Sequence, residues 1–181
     1  MDIDEKTGMP IFDWYVALGS NLGDSWATLR SARTEIAKLG VLQAASPIYS
    51  SPPMYELDQP PFLNAVVWLR STLAGEALLE QLRQIEQRFG RIREEARRYG
   101  PRSLDLDLVA GVFGDEALIY QTPALTVPHE RLAERAFVLK PLLDVAPTWK
   151  HPHRDESGKV LLERLGDDAN LQVAYQPEEW A

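Results

Sequence analysis

From residue 103 to residue 108 polar and apolar side chains alternate strictly, with Ser103, Asp105 and Asp107 on one set of positions and Leu104, Leu106 and Leu108 on the other. A period of two predicts a strand with one face buried, running on to about Val112. Both aspartates then share a face, roughly 7 Å apart along the strand. Trp14 to Leu18 is a short apolar run that stops at Gly19-Ser20-Asn21-Leu22-Gly23, the pattern of a buried strand entering a turn. Asp24 or Ser25 is placed to cap a helix whose apolar positions Trp26, Leu29, Ile36 and Leu39 recur at helical spacing until Gly40. A second strand is expected over Leu42 to Tyr49. Residues 50 to 61 form a loop stiffened by four prolines. Phe62 to Leu69 reads as a buried strand interrupted only by Asn64. Thr72 is predicted to cap the next helix, which places Leu78, Leu82, Ile85 and Phe89 on one face and ends at Gly90.

After the aspartate strand, Phe113-Gly114-Asp115-Glu116 turns the chain into Ala117 to Tyr120 as an antiparallel partner. The sheet is therefore mixed or antiparallel, not doubly wound. Residues 131 to 146 are helix-like with a break or kink expected at Pro141, and Val160 to Leu165 gives a last short helix. Residues 1 to 11 lack periodicity and read as a mobile leader, and residues 167 to 181 as a strand or loosely packed tail. With no internal repeat or linker, residues 1 to 181 are read as one domain.

Composition narrows the function classes. Cysteine is absent, which removes disulfides, thiolate metal sites and thiol nucleophiles together. No targeting segment and no apolar run near the roughly 20 residues of a membrane span is visible, so a cytoplasmic protein without a membrane partner is expected. The net charge of -8 argues against tracking a nucleic-acid backbone. Its distribution matters more than its sum. Six of the fourteen arginines, Arg88, Arg91, Arg93, Arg97, Arg98 and Arg102, lie between residues 88 and 102 against only Glu94 and Glu95. Such a spot in an acidic protein suits a small anion, although a solvated basic loop is the commoner meaning of a charge run.

That cluster leads straight into the two aspartates. Like charges aimed at one spot repel unless something cationic lies between them, so the pair is either solvated on an open sheet face or a site for a hard divalent cation. Asn64 in its apolar strand needs partners, supplied by backbone or by the edge of a ligand. His129, at an expected helix start, would tend to stay neutral and could donate to an anion or simply cap. His151 and His153 have no third partner in sequence and read as surface residues. The turn at residues 19 to 23 lacks the lysine and spacing of a phosphate-binding P-loop.

Five blocks carry a resemblance: Tyr15 to Gly23; Asp58-Gln59-Pro60 with Phe62-Leu63-Asn64; Ile85-Glu86 with Gly90-Arg91-Ile92-Arg93; Gly100 to Asp107; and Val127-Pro128-His129 with Arg135 and Phe137-Val138-Leu139. In this order and near-family spacing they resemble the 6-hydroxymethyl-7,8-dihydropterin pyrophosphokinases of the folate pathway over about residues 13 to 150. The resemblance implies a ferredoxin-like α+β fold with helices on both faces of a mainly antiparallel sheet, a three-layer α/β/α arrangement. It implies transfer of pyrophosphate from ATP to the pterin hydroxymethyl group, with AMP released. Asp105 and Asp107 would hold two Mg²⁺ ions. Arg91, Arg93, Arg98, Arg102 and Arg135 would face phosphates, with Arg91 and Arg102 also catalytic, and His129 would contact the nucleotide. The pterin would lie between Phe62 and Phe137, its edge read by Asn64 and by Ser51, Pro52 and Met54. A monomer is expected. Tyr99, an extra residue between Arg93 and Tyr99, Arg83 and Glu130 depart from the family pattern around the adenosine and the arginine loop, which is the expected lid.

Overall fold

The computed structural model describes residues 2–54, 57–90, 100–166 and 170–180. The apolar run ahead of the glycine turn is β1 (Phe12–Ser20), followed by α1 (Ser25–Ile36). Asp24 caps that helix, its side chain accepting the Ala27 N–H at 3.0 Å. Next come β2 (Val41–Ala45), β3 (Ile48–Ser51), β4 (Phe62–Ser71), α2 (Gly75–Arg88) and β5 (Asp105–Phe113). β6 (Glu116–Ala117) closes a hairpin with β5, and β7 (Tyr120–Gln121) pairs with β8 (Thr126–Val127) as a separate ribbon. Beyond them lie α3 (Ala136–Val145), the ribbon of β9 (Lys150–His151) and β10 (Glu156–Ser157), α4 (Gly158–Leu165) and β11 (Gln172–Tyr175).

The main sheet runs β11-β3-β4-β1-β5-β6, with β2 also on β4, and all its pairings are antiparallel. Alternation sorts its side chains into two layers. Trp14, Val16 and Leu18 of β1, with Ala65, Val67 and Leu69 of β4 and Leu106 and Leu108 of β5, meet Leu29, Ala32 and Ile36 of α1 and Leu78, Leu82 and Ile85 of α2. On the other face Tyr15, Val66, Val109 and Ala110 meet Val138, Leu139 and Leu142 of α3 and Leu161 of α4. The result is the expected antiparallel sheet between two helical layers.

Local details depart from the sequence expectations for identifiable reasons. The strand expected over Leu42 to Tyr49 is two strands, separated at Ser46-Pro47. The fully buried Ser46 replaces ladder bonds there, its Oγ accepting the Val66 N–H at 3.0 Å and its own N–H donating to the Val66 carbonyl at 2.9 Å. Thr72 does not cap α2. Ala74 is the N-cap, and Gly75 opens the helix where a Cβ would stand 2.7 Å from Leu125 and 2.9 Å from Tyr120. A short 3-10 turn over Leu132–Glu134 precedes α3, which starts only at Ala136 and keeps Pro141 inside it. The partner of β5 ends at Ala117. Ile3 bridges Pro10, and Asp2 pairs with Arg70. β11 adds a strand beside β3, and Trp180 is fully buried in the α1–α2 layer.

This topology concentrates strand ends. Because β4 and β5 both run opposite to β1, the end of β1 at Gly19 lies beside Asn64 of β4 and Asp105 of β5. β3 runs opposite to β4, so Ser51 pairs with Phe62 at the same end of the sheet.

Candidate active site

A pocket of about 600 Å³ opens at that end, lined by Gly19, Ser51, Pro52, Met54, Gln59, Phe62, Asn64, Gly100, Arg102, Asp105, Arg135 and Phe137. A smaller one of about 330 Å³ adjoins it and is lined by Asp105 and Asp107 with Ala17, Leu18, Gly19, Asn64, Ala65, Arg135, Phe137 and Val138. The two share Gly19, Asn64, Asp105, Arg135 and Phe137. Every residue that the resemblance places against the flat ring, namely Ser51, Pro52, Met54, Phe62, Asn64 and Phe137, lines the larger pocket. Gly19 forms common floor. A Cβ there would lie 3.6 Å from Asn64 Oδ1 and 3.8 Å from the Asp105 Cβ, so the missing side chain keeps the passage between amide and carboxylate open.

Asn64 is buried, and its Nδ2 donates to Ser51 Oγ at 2.9 Å and to the Phe62 carbonyl at 3.5 Å. Neighbouring chain thus satisfies the donor half of the amide. The acceptor Oδ1 stands beside Gly19, at the junction of the two pockets.

Asp105 and Asp107 both line the smaller pocket, on the sheet face opposite to Leu104 and Leu106. Arg102 forms an ion pair with Asp105, so a guanidinium takes up part of the repulsion that the sequence posed. Arg135, at the start of α3, lines the smaller pocket together with both aspartates and feels their charge. Burial and Arg131 lower its pKa, while Asp107 and Asp105 oppose that shift. Its buried Nε has no hydrogen-bond partner among the described residues. The carboxylates fit a hard cation of the magnesium type. Among the described residues they have no third histidine, cysteine or carboxylate to complete a protein cage, and such a cation takes one or two carboxylates plus substrate phosphates.

His129 follows the cis Val127–Pro128 bond and does not line either pocket, but it senses the charges of Arg135 and Asp105. Its neutrality has a different origin from the helix start the sequence suggested, because α3 begins further on. Burial, reinforced by the charge of Arg135, holds its pKa below the ordinary 6.5. Nδ1 accepts the Arg131 N–H at 3.1 Å, so the neutral ring carries its proton on Nε2. On unfolding, the ring regains its ordinary pKa and takes up a proton that the folded state resists, so this group lowers stability as pH falls through 6.5 and has no effect well above it. His151, also held low by burial, adds in the same direction. Urea titrations from about pH 8 to about pH 5 should give a shallower acid loss in His129→Gln than in the parent, and equal slopes would remove His129 from the linkage.

Two positioning residues were not singled out from sequence. Asn21 is 3% exposed inside what read as an ordinary turn. Its Oδ1 accepts the Arg102 N–H at 2.8 Å, its Nδ2 donates at 3.0 Å to both Gln59 Oε1 and the Pro60 carbonyl, and its N–H donates to the Arg102 carbonyl at 3.1 Å. One residue therefore ties the segment leading into β5 to the proline loop. Asn21→Ala strands these buried groups and should cost about 1–3 kcal/mol of stability in urea unfolding. An unchanged midpoint would contradict the bracket. Glu86, 1% exposed on α2, accepts the Leu106 N–H at 2.8 Å between the two aspartates. Its signal was a carboxylate four residues after Leu82 and eight after Leu78, on the buried stripe. Arg91, Arg93 and Arg98, with Arg97 and Tyr99 of the expected lid, lie outside the described residues.

The family profile described as 7,8-dihydro-6-hydroxymethylpterin-pyrophosphokinase matches residues 15–147. A Pseudomonas aeruginosa protein named 2-amino-4-hydroxy-6-hydroxymethyldihydropteridine pyrophosphokinase is 44% identical over 140 residues, 76% of this chain and 83% of its own. The folic acid synthesis protein fol1 of Schizosaccharomyces pombe is 37% identical over 153 residues, which are 83% of this chain and 20% of fol1, so the chain spans about a fifth of that relative. A crystal structure of Plasmodium falciparum HPPK-DHPS superposes with a TM-score of 0.66 at 12% identity, over 87% of this chain and 44% of that one, a likeness of fold alone. The relatives that share this chain's sequence are named pyrophosphokinases or proteins of folic acid synthesis. The chain belongs to the 7,8-dihydro-6-hydroxymethylpterin-pyrophosphokinase family.

Proposed function

We propose that the protein transfers the terminal pyrophosphoryl group of ATP to the hydroxymethyl oxygen of 6-hydroxymethyl-7,8-dihydropterin. The new bond joins that oxygen to the β-phosphorus, the bond from the β-phosphorus to the α-bridging oxygen breaks, and AMP leaves. The observation that carries this reading is the shared floor of the two pockets, which sets an aromatic and amide-lined slot directly against the carboxylate pair.

In this reading Phe62 and Phe137 hold the flat ring by offset stacking, and Asn64 Oδ1 accepts from its edge. Arg102 and Arg135 balance phosphate charge, joined by Arg91, Arg93 and Arg98, and the Nε2–H of His129 donates to the nucleotide. Asp105 and Asp107 would hold two Mg²⁺ ions, whose charge would neutralise phosphate oxygens and ease loss of the hydroxymethyl proton. Either aspartate can receive that proton and pass it to water. Little covalent work falls to the protein, and alignment of the attacking oxygen is its main contribution.

One domain over residues 1–181, acting as a monomer in the cytoplasm, completes the proposal. No helix among the described residues is long and apolar enough to cross a membrane. A coupled assay of AMP formation tests the reaction, with AMP expected from ATP only when the hydroxymethyl pterin is present. AMP formed equally without the pterin would overturn it.

A further inference from the structure

The family match ends at residue 147, yet β11 joins the same sheet as the strands that carry the site, and Trp180 is buried beneath that sheet in the α1–α2 layer. β3 leads directly into Ser51 and Pro52 of the larger pocket. On one side it is held by β4, with Tyr49 opposite Asn64 and Ser51 opposite Phe62. On its other side stands β11, where Gln172 faces Ser50, Val173 faces Tyr49 and Tyr175 faces Ile48. Without β11, β3 would be an edge strand along its whole length.

Trp180 anchors this addition. It is fully buried, and its Nε1–H donates to the Ser46 carbonyl at 3.0 Å, the corner where the chain passes from β2 to β3. Its own carbonyl accepts from Arg33 Nη1 at 3.1 Å, and the Arg33 guanidinium lies 5.5 Å from its ring centroid. Tyr175 meets Trp26 of α1 with ring centroids 5.9 Å apart. The tail thus links the helix that follows the Asn21 turn to the strand that feeds the proline loop.

We propose that the C-terminal segment is a clasp that positions the pterin loop, with Trp180 as its positioning residue acting through Ser46 and β3 on Ser51 and Pro52. The inference rests on the pterin reading above. Its physical content is that β3 keeps one register and height only while both of its edges are paired, so the wall built by Ser51 and Pro52 inherits its precision from a tryptophan that never touches the substrate.

Two measurements on the full chain test it. In Trp180→Phe, which keeps a ring but loses the Nε1–H donor, amide exchange without any substrate should accelerate about tenfold across residues 48–51 and remain unchanged across residues 12–20. KM for the pterin should rise about tenfold while KM for ATP moves by less than about twofold, and Trp180→Ala should exaggerate the split. Unchanged exchange at 48–51 overturns the clasp, as does equal acceleration throughout 12–20, which marks general loosening. A pterin KM that stays put, or that rises together with the ATP KM, also overturns it. Should exchange respond as expected while the parent protein forms no pterin-dependent AMP, the clasp on β3 stands and the pterin reading falls.

Discussion

Asp105→Ala or Asp107→Ala should lower AMP formation by about a thousandfold or more while leaving the protein folded, because the removed groups face ligand space and not the core. Both side chains line the smaller pocket, whereas the leucines that alternate with them carry the packing of β5. Removing Asp105 also deprives Arg102, whose side chain is only 25% exposed, of one partner, which carries a stability cost of its own. Urea unfolding beside the AMP assay separates the two effects. Asp107→Asn sharpens the result, since it keeps the shape and removes only the charge. If the pair were merely a solvated polar face, relief of repulsion would leave activity intact. Undiminished turnover in either alanine variant would sink the assignment.

Asn64→Ala should raise KM for the pterin on the order of a hundredfold and leave KM for ATP within about twofold, because a slot built to hydrogen-bond a ring edge loses its discrimination when that partner disappears. The amide has two tasks that the geometry separates. Nδ2 braces Ser51, and Oδ1 lies at the passage between the pockets. Ser51→Ala removes the brace and keeps the acceptor, so its effect on the pterin KM should be several-fold smaller than that of Asn64→Ala. Equal losses in both variants would mean that Asn64 acts only by holding the loop. A rise in the ATP KM of the same size would mean that the residue supports the whole site.

Much of the candidate site was legible because its signals are local. The strand carrying Asp105 and Asp107 announces its buried face through Leu104, Leu106 and Leu108, and the pleat then obliges the carboxylates to share the other face. Asn64 stood out for the same reason, as one amide in an otherwise apolar strand. The adjacency of Phe62, Phe137 and the aspartates had no local signal and came from the family resemblance. Where expectations missed, a distant partner was responsible. Ser46 breaks a strand because its side chain bonds Val66, twenty residues on, and the first residue of α2 is a glycine because Tyr120 and Leu125 leave no room for a Cβ there.

What the sequence determined by itself is therefore what one strand or one helix turn can encode: the antiparallel tendency of its hairpin, the common face of the aspartates, the polar break at Asn64, the Asp24 cap of α1 and the apolar stripes of the helices. The tertiary structure alone decided how the strand ends converge at Gly19, that Asn21 holds Arg102 from 81 residues away, and that Trp180 pins Ser46 across 134 residues. The reason is physical. Alternation and helical periodicity are properties of neighbouring residues, whereas a buried amide or indole finds its partner only after the sheet has brought distant backbone within hydrogen-bond reach.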